Sequence, residues 1–239
     1  MQQAASKQTD IAFPAVHALD VLLVVAGSVG SLLLAGWLVR DFAATLGLVL
    51  GMLLLQAAVL LGAVHLVVVR RRGIGWRKIG LRPASRGWYI GALVIGLTAV
   101  PTIALVNLLV QWLVGAPFRN PQLEHLAPAG FSWRALAGML VAAAIVAPVA
   151  EEVVFRGLLY SWLRRYLGAA ASIALNAIIF AFAHGIVVLV PALLVNGAIL
   201  AFMYERSRSL WPSIIAHGMF NAMMVAALYG ALATGVMSR

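Results

Sequence analysis

Three groups of polar residues interrupt a mostly apolar chain, and the first contains two adjacent carboxylates, Glu151 and Glu152. Glu152 and Arg156 are four residues apart, so they share a helix face with the acidic residue in the favourable N-terminal position. Glu151 is rotated by about 100° around the same helix, and Phe155 occupies the position four residues after it. The pattern predicts one paired and one free carboxylate. The open alternative is a structural role in which both carboxylates bind Arg156 in the interior and join helices.

Two histidines and an asparagine form the other two groups. His184 follows Phe180 by one helical turn at the end of an apolar run, and His217 precedes Asn221 by the same spacing. Each group alone fits a structural role, as a buried hydrogen-bonded histidine or as a polar contact between membrane helices. Together, a free carboxylate, two histidines and an amide supply a general base, a group that orients water and donors for an oxyanion.

The composition indicates where these residues must lie. Of 239 residues, 64% are hydrophobic and only 10% are charged, whereas soluble domains are about a quarter charged. This excludes a water-soluble globule, a disordered chain and a disulfide-stapled secreted scaffold. The chain has no cysteine, which excludes thiolate catalysis and thiolate metal sites. Glu151 and Glu152 are the only two of the seven acidic residues that lie deep in an apolar run, where a charged side chain is costly.

The long uncharged runs predict an all-α polytopic membrane helix bundle, since about 20 residues cross a bilayer. We expect one integral-membrane domain over 1–239, with peripheral spans in 1–134 and a catalytic core of four spans in 135–236. The run from Tyr166 to Tyr204 is too long for one span, and Gly185 and Pro191 mark a break within it. The count is about seven transmembrane helices, within a range of six to eight because the sixth is short. The seven are predicted at 18–39, 43–69, 88–114, 134–163, 167–187, 190–204 and 211–236.

The formal net charge of +10 indicates topology rather than a nucleic-acid partner, because the cations lie in short segments between apolar runs. With seven spans, the positive-inside rule predicts a cytoplasmic N-terminus and a C-terminus on the opposite side. The twelve cations predicted to be cytoplasmic are Lys7, Arg70, Arg71, Arg72, Arg77, Lys78, Arg82, Arg86, Arg164, Arg165, Arg206 and Arg208. The four predicted on the other side are Arg40, Arg119, Arg134 and Arg239.

The three motifs, taken in order, resemble the CPBP family of intramembrane glutamic endopeptidases, which includes Rce1-like CAAX-prenyl proteases and Abi proteins. The resemblance covers about 141–225 and rests on Glu151-Glu152-x-x-x-Arg156, Phe180-x-x-x-His184 and His217-x-x-x-Asn221. Two segments with a weaker resemblance to the family lie outside these motifs. The first is Ile79-Gly80-Leu81-Arg82-Pro83, which precedes a span, and the second is the connector from Tyr204 to Pro212 before the last helix.

The resemblance implies a peptide hydrolase that uses Glu151 as the general base toward water. It implies that His184 holds or polarises that water, and that His217 and Asn221 donate to the oxyanion. Glu152, Arg156 and Phe180 would shape the site. The implied partners are the lipid bilayer and a membrane-anchored peptide or protein substrate, in a bacterial or archaeal inner or plasma membrane.

Several alternatives remain open at this stage. We favour a metal-free site with no cofactor, because the histidines lie 33 residues apart and no H-E-x-x-H helix is present. If a metal is required, Glu151, His184 and His217 would bind zinc. The same fold is also compatible with a non-catalytic membrane scaffold or a bacteriocin-immunity protein. Buried ionisable residues also occur in proton- or ion-coupled transporters, but we see no internal repeat of the kind those proteins carry.

Overall fold

The computed structural model describes residues 13–43, 45–115, 126 and 130–235. Lys7, Arg119 and Arg239, three of the cations behind the predicted topology, lie outside the described residues. Within the described part the secondary structure is helical, with a 3₁₀ turn at Val187–Leu189. The helices are α1 (Ala18–Val39), α2 (Leu46–Arg70), α3 (Trp76–Ile79), α4 (Arg86–Val114), α5 (Trp133–Leu163), α6 (Ala169–Ala183), α7 (Val190–Ser207) and α8 (Leu210–Ala233).

The prediction of an all-α polytopic helix bundle is confirmed. Six helices of the described chain are long and apolar enough to cross a membrane, namely α1, α2, α4, α5, α7 and α8. The remaining predicted span, at 167–187, corresponds to α6, which has 15 residues, or about 22 Å of helix. The expectation that the sixth predicted helix is the short one was wrong, because α7 has 18 residues and continues past Tyr204 to Ser207.

The short length of α6 has a local cause at its C-terminal end. The helix ends at Ala183 with His184 as its C-cap, and Gly185 follows with φ +69° in the left-handed region that favours glycine. The predicted break at Gly185 and Pro191 is therefore present, but the helix ends at Ala183, before the predicted boundary at 187. As a result His184 lies at the end of a helix that is too short to cross the bilayer, rather than inside a full span.

Helix α5 carries the adjacent carboxylates between two wide helical segments. π-helical turns occur at Ala142–Val146 and at Val153–Tyr160, on either side of a regular turn at Ala147–Glu152. Pro148 has no N–H to donate to the carbonyl of Ala144 one turn earlier, so the helix cannot stay regular there. Such wide turns inside a helix are frequent at functional sites.

Close helix packing brings α8 against the first of these wide segments. A Cβ atom added at Gly218 of α8 would lie 2.6 Å from the carbonyl oxygen of Ala144, a distance that no methyl group tolerates. A Cβ atom at Gly197 of α7 would lie 3.1 Å from the Cα atom of Ala177 on α6. Small residues at these two positions let α5, α6, α7 and α8 approach closely around the carboxylates.

The two segments with a weaker resemblance to the family, 79–83 and 204–212, pack against each other at one end of the bundle. The Tyr204 hydroxyl donates to the carbonyl of Ile79 at 2.8 Å, and the amide of Leu210 donates to the carbonyl of Gly80 at 2.9 Å. Gly80 has φ +125°, and a Cβ atom there would lie 2.8 Å from the Tyr204 ring. The loop after α3 is thus joined to the α7–α8 connector. Its buried neighbours Leu158, Tyr160 and Ile79 belong to the largest hydrophobic core.

Candidate active site

Glu152 is the centre of the buried polar cluster. Its Oε1 atom accepts a hydrogen bond of 2.7 Å from Nη1 of Arg156 and lies 2.9 Å from Nδ1 of His217. The side chains of Glu152 and Arg156 are fully buried, and that of His217 is 4% exposed. Because an ionised carboxylate only accepts hydrogen bonds, Nδ1 of His217 carries the proton in this contact. The predicted ion pair between Glu152 and Arg156 is present, and a histidine from α8 completes it.

Arg156 makes two further contacts that hold its guanidinium in place. Nη2 donates to the backbone carbonyl of Gly197 at 3.0 Å. The guanidinium carbon lies 4.5 Å from the centroid of the Phe180 ring, in the geometry of a cation–π contact. One side chain therefore joins α5 to α6 and α7 in the interior of the bundle, where an uncompensated charge would be costly.

Glu151 differs from Glu152 in its surroundings. Its side chain is 16% exposed, and its Oε2 atom has no hydrogen-bond partner among the described residues. Nε2 of His217 lies 3.8 Å from this atom, which is too long for a direct hydrogen bond. Of the two adjacent carboxylates, Glu152 is therefore paired and Glu151 is free. Arg156 forms an ion pair with Glu152 and none with Glu151.

Phe180 separates the two histidines and contacts both. Its ring centroid lies 4.8 Å from that of His184 and 5.9 Å from that of His217, with the rings edge to face in both pairs. Nδ1 of His184 lies 2.8 Å from the Phe180 carbonyl oxygen. Since a carbonyl only accepts, Nδ1 of His184 is the protonated nitrogen. In the neutral ring Nε2 is then left as the acceptor on a partly exposed side chain.

Asn221 lies one turn after His217 on α8, and its side chain is already engaged. Its Nδ2 atom donates to the carbonyl of Ala143 at 2.9 Å, within the first wide segment of α5. An amide nitrogen carries two hydrogens, so one N–H remains for another acceptor. The contact holds α8 to α5 near the carboxylates, a positional role that the four-residue spacing to His217 does not reveal.

Asn176 contributes to the site, and the sequence analysis missed it. Its Nδ2 atom donates to the Phe155 carbonyl at 2.7 Å, and its side chain is fully buried. It thereby holds the second wide segment of α5 beside α6. The signal was available, because Asn176 is a polar residue in an otherwise apolar run, about two helical turns before His184.

The three side chains considered as zinc ligands, Glu151, His184 and His217, do not come together around one point. Among the described residues, no three His, Cys, Asp or Glu side chains come together closely enough to hold a metal ion. Nδ1 of His217 is directed to Glu152 and Nδ1 of His184 to a backbone carbonyl, so Nε2 would be the metal-binding atom of each ring. The residues Glu151, His184 and His217 thus do not form a zinc site in this arrangement.

Comparisons with known proteins concern the same part of the chain. The family model described as Type II CAAX prenyl endopeptidase Rce1-like matches residues 133–223. The Bacillus subtilis (strain 168) protein named "Putative membrane peptidase YdiL" is 28% identical over 87 residues, which are 36% of this chain and 36% of that protein. The chain thus matches about a third of the length of this curated relative. No solved structure matches the chain.

The matched segment contains all seven residues of the predicted site, and helices α5 to α7 lie entirely within it. The order of the motifs, the helical bundle around them and the family match agree with one another. The family resemblance is therefore confirmed: the chain is an integral membrane protein whose segment 133–223 matches the Rce1-like family model.

Proposed function

We propose that the chain is an intramembrane endopeptidase that hydrolyses a peptide bond in a membrane-anchored protein or peptide, with Glu151 as the general base. The observation that carries the proposal is the difference between the two adjacent carboxylates. Glu152 is bound by Arg156 and His217, whereas Oε2 of Glu151 has no partner and lies 3.8 Å from Nε2 of His217. A structural carboxylate in the interior is normally paired, so the free one is the candidate for chemistry.

Water activation is the first step assigned to these residues. Buried polar atoms without a protein partner are normally hydrogen-bonded to ordered water. Oε2 of Glu151, Oε2 of Glu152 and Nε of Arg156 are three such atoms among the described residues. Glu151 takes a proton from a water molecule as the oxygen of that water attacks the carbonyl carbon of the peptide. His184, whose Nε2 is an acceptor in the neutral ring, orients the water by accepting its second hydrogen.

Charge stabilisation of the tetrahedral intermediate is the second step. The free N–H of Asn221 is a donor for the oxyanion. His217 donates from Nε2 only when its ring is protonated, because its other nitrogen already donates to Glu152. Oε1 of Glu152 lies 2.9 Å from Nδ1 of His217 and therefore stabilises the positive charge on the ring. Arg156 in turn holds Glu152 in place through its hydrogen bond to Oε1.

Collapse of the intermediate completes the reaction. The carbon–nitrogen bond breaks, and the proton held by Glu151 passes to the departing amine, so that one water molecule is consumed and a carboxylic acid and an amine are produced. Glu151 is then ionised again. This sequence uses the same carboxylate first as a base and then as an acid, and it needs no further titratable group.

The class of substrate follows from the position of the site. Glu151 lies twelve residues before Leu163 at the end of α5, which is about 18 Å along the helix, so the scissile bond must enter the membrane-embedded bundle. The matching family is described by its action on CAAX prenyl proteins, and the relative by its name as a membrane peptidase. We therefore assign a membrane-anchored tail as the substrate, and a lipidated C-terminal peptide as its first probe.

A cleavage assay with the purified full chain in lipid nanodiscs tests the proposal. The probes are a fluorogenic peptide with a prenylated cysteine near its C-terminus, its unprenylated counterpart and a single-span reporter protein. Glu151→Gln removes the base but keeps the shape, so we expect at least about a hundredfold loss of kcat. Glu151→Asp keeps a carboxylate and should retain measurable turnover. Asp41→Asn, an exposed carboxylate at the end of α1, should cleave like the wild type.

Two results of this assay would contradict the assignment. If a probe is cleaved equally by the wild type and Glu151→Gln, Glu151 is not the base. If none of the three probes is cleaved by wild-type protein that is folded and correctly inserted, the non-catalytic scaffold and transporter alternatives gain support over the endopeptidase.

A further inference from the structure

A cluster of exposed cations lies on the segment that joins α2 to α4. Arg70, Arg71, Arg77, Lys78 and Arg86 are all exposed and are here called the basic surface. Residues 70–86 contain seven cations and no Asp or Glu. The cluster is separate from the candidate active site and plays no part in the proposed hydrolysis.

The cations of the basic surface are not neutralised by the protein. In the described part of the chain, none of these five forms an ion pair with a carboxylate. Two carboxylates of the described chain, Asp20 and Glu205, bind other arginines. Asp20 accepts from Arg72 at 2.8 Å, and Glu205 accepts from Arg164 at 3.1 Å. The hydrogen bond with Glu205 raises the pKa of the Arg164 guanidinium. The charges of Arg164 and Glu205 thus compensate each other within the protein.

The basic surface is held at the level of the membrane boundary. Arg70 is the last residue of α2 and Arg86 the first of α4, and both helices are long and apolar enough to span a bilayer. Between them, Ile79 of α3 is buried against Gly157 of α5, and its carbonyl accepts from Tyr204. The segment therefore cannot swing away into the aqueous phase, and Arg77 and Lys78 are presented on the outer side of α3.

The aromatic residue of α3 fits the same location. Trp76 is half-buried and stacks on His65 with ring centroids 6.1 Å apart. Tryptophan side chains concentrate at the boundary between hydrocarbon and headgroups. Fixed, uncompensated cations beside such an anchor are the chemistry that attracts anionic lipids.

We propose that the basic surface binds the headgroups of anionic phospholipids. An acidic protein segment offers the same charge, but the headgroups lie against this surface whenever the chain is in a membrane. The interaction is electrostatic, so it weakens as the ionic strength rises. It does not depend on peptide hydrolysis, and its test uses no substrate.

The test measures lipid binding to the purified full chain in detergent by native mass spectrometry. The probes are palmitoyl-oleoyl phosphatidylglycerol and phosphatidylcholine with the same acyl chains. We expect the wild type to bind phosphatidylglycerol about tenfold or more tightly than phosphatidylcholine. R77Q/K78Q removes two charges and should lose most of this preference. The matched control R40Q/R134Q removes two exposed charges at the other ends of α1 and α5 and should keep the preference.

Three results would overturn the proposal. The first is equal binding of both lipids by the wild type. The second is a loss of preference in the control as large as that in R77Q/K78Q, and the third is an unchanged preference in R77Q/K78Q. The charge-retaining variant R77K separates charge from folding, because it should bind like the wild type. Thermal unfolding followed by tryptophan fluorescence establishes that each variant is folded before its lipid binding is compared.

Discussion

Nδ1 of His217 lies 2.9 Å from Oε1 of Glu152, across 65 residues of sequence and between two different helices. Through this contact the last helix of the bundle is joined to the carboxylate that also binds Arg156. The contact orients the second nitrogen of His217 towards Glu151, at 3.8 Å. One buried carboxylate thus determines how the free carboxylate and the histidine face each other.

The ion pair between Glu152 and Arg156 supplies the first prediction. Arg156→Met leaves Glu152 buried without its guanidinium, and loss of one partner from a buried pair costs about 3–5 kcal/mol of unfolding free energy. The double variant Glu152→Met/Arg156→Met removes both charges and should recover a substantial part of this loss. Tryptophan fluorescence during thermal unfolding measures it, because the chain has seven tryptophans. Equal stability of the single and double variants would contradict a compensated buried pair.

The two histidines supply the second prediction. His217→Asn removes the ring that faces Glu151, and His184→Asn removes the acceptor proposed to orient water. Removal of a positioned acid–base group lowers turnover by about 10²–10⁴-fold, so both variants should lose kcat with a smaller change in KM. His65→Asn is the matched control, because His65 is exposed on α2 and stacks on Trp76 away from the site. Full activity of His184→Asn would remove that residue from the proposed mechanism.

Metal dependence supplies the third prediction. Because Glu151, His184 and His217 are not gathered into a metal-binding set, we expect cleavage to persist after prolonged treatment with a chelator. Elemental analysis of the purified protein should find less than about one zinc ion for every ten chains if the site works without metal. Loss of cleavage on chelation, with recovery on adding zinc alone, would establish the zinc alternative instead.

Some of these relationships could be predicted from the sequence, for physical reasons that differ by residue. The helices follow from long uncharged runs, and the pairing of Glu152 with Arg156 follows from their spacing within one helix. The length of α6 was mispredicted, because the left-handed conformation of Gly185 ends the helix where the apolar pattern continues. The bond between His217 and Glu152 depends on tertiary packing, which no local spacing encodes.

The site also depends on backbone groups that carry no sequence signal of their own. The carbonyls of Ala143, Phe155 and Gly197 accept hydrogen bonds from site side chains. Two of them lie in the wide segments of α5 that flank the carboxylates. Pro148 indicated that this helix is irregular, but not which carbonyls become available.

The close approach of α8 to α5 supplies the last prediction. A methyl group at Gly218 would lie 2.6 Å from the Ala144 carbonyl oxygen, so Gly218→Ala must push the two helices apart. Because His217 is the neighbouring residue, its contact with Glu152 should lengthen, with a loss of about 1–3 kcal/mol of stability and of most cleavage activity. Gly230→Ala is the control on the same helix, because nothing lies within 4 Å of the added methyl group there. Alanine favours helix by about 1 kcal/mol over glycine, so this control should be at least as stable as the wild type. Equal activity of the two variants would show that the helices tolerate separation and that the distance between His217 and Glu152 does not limit the reaction.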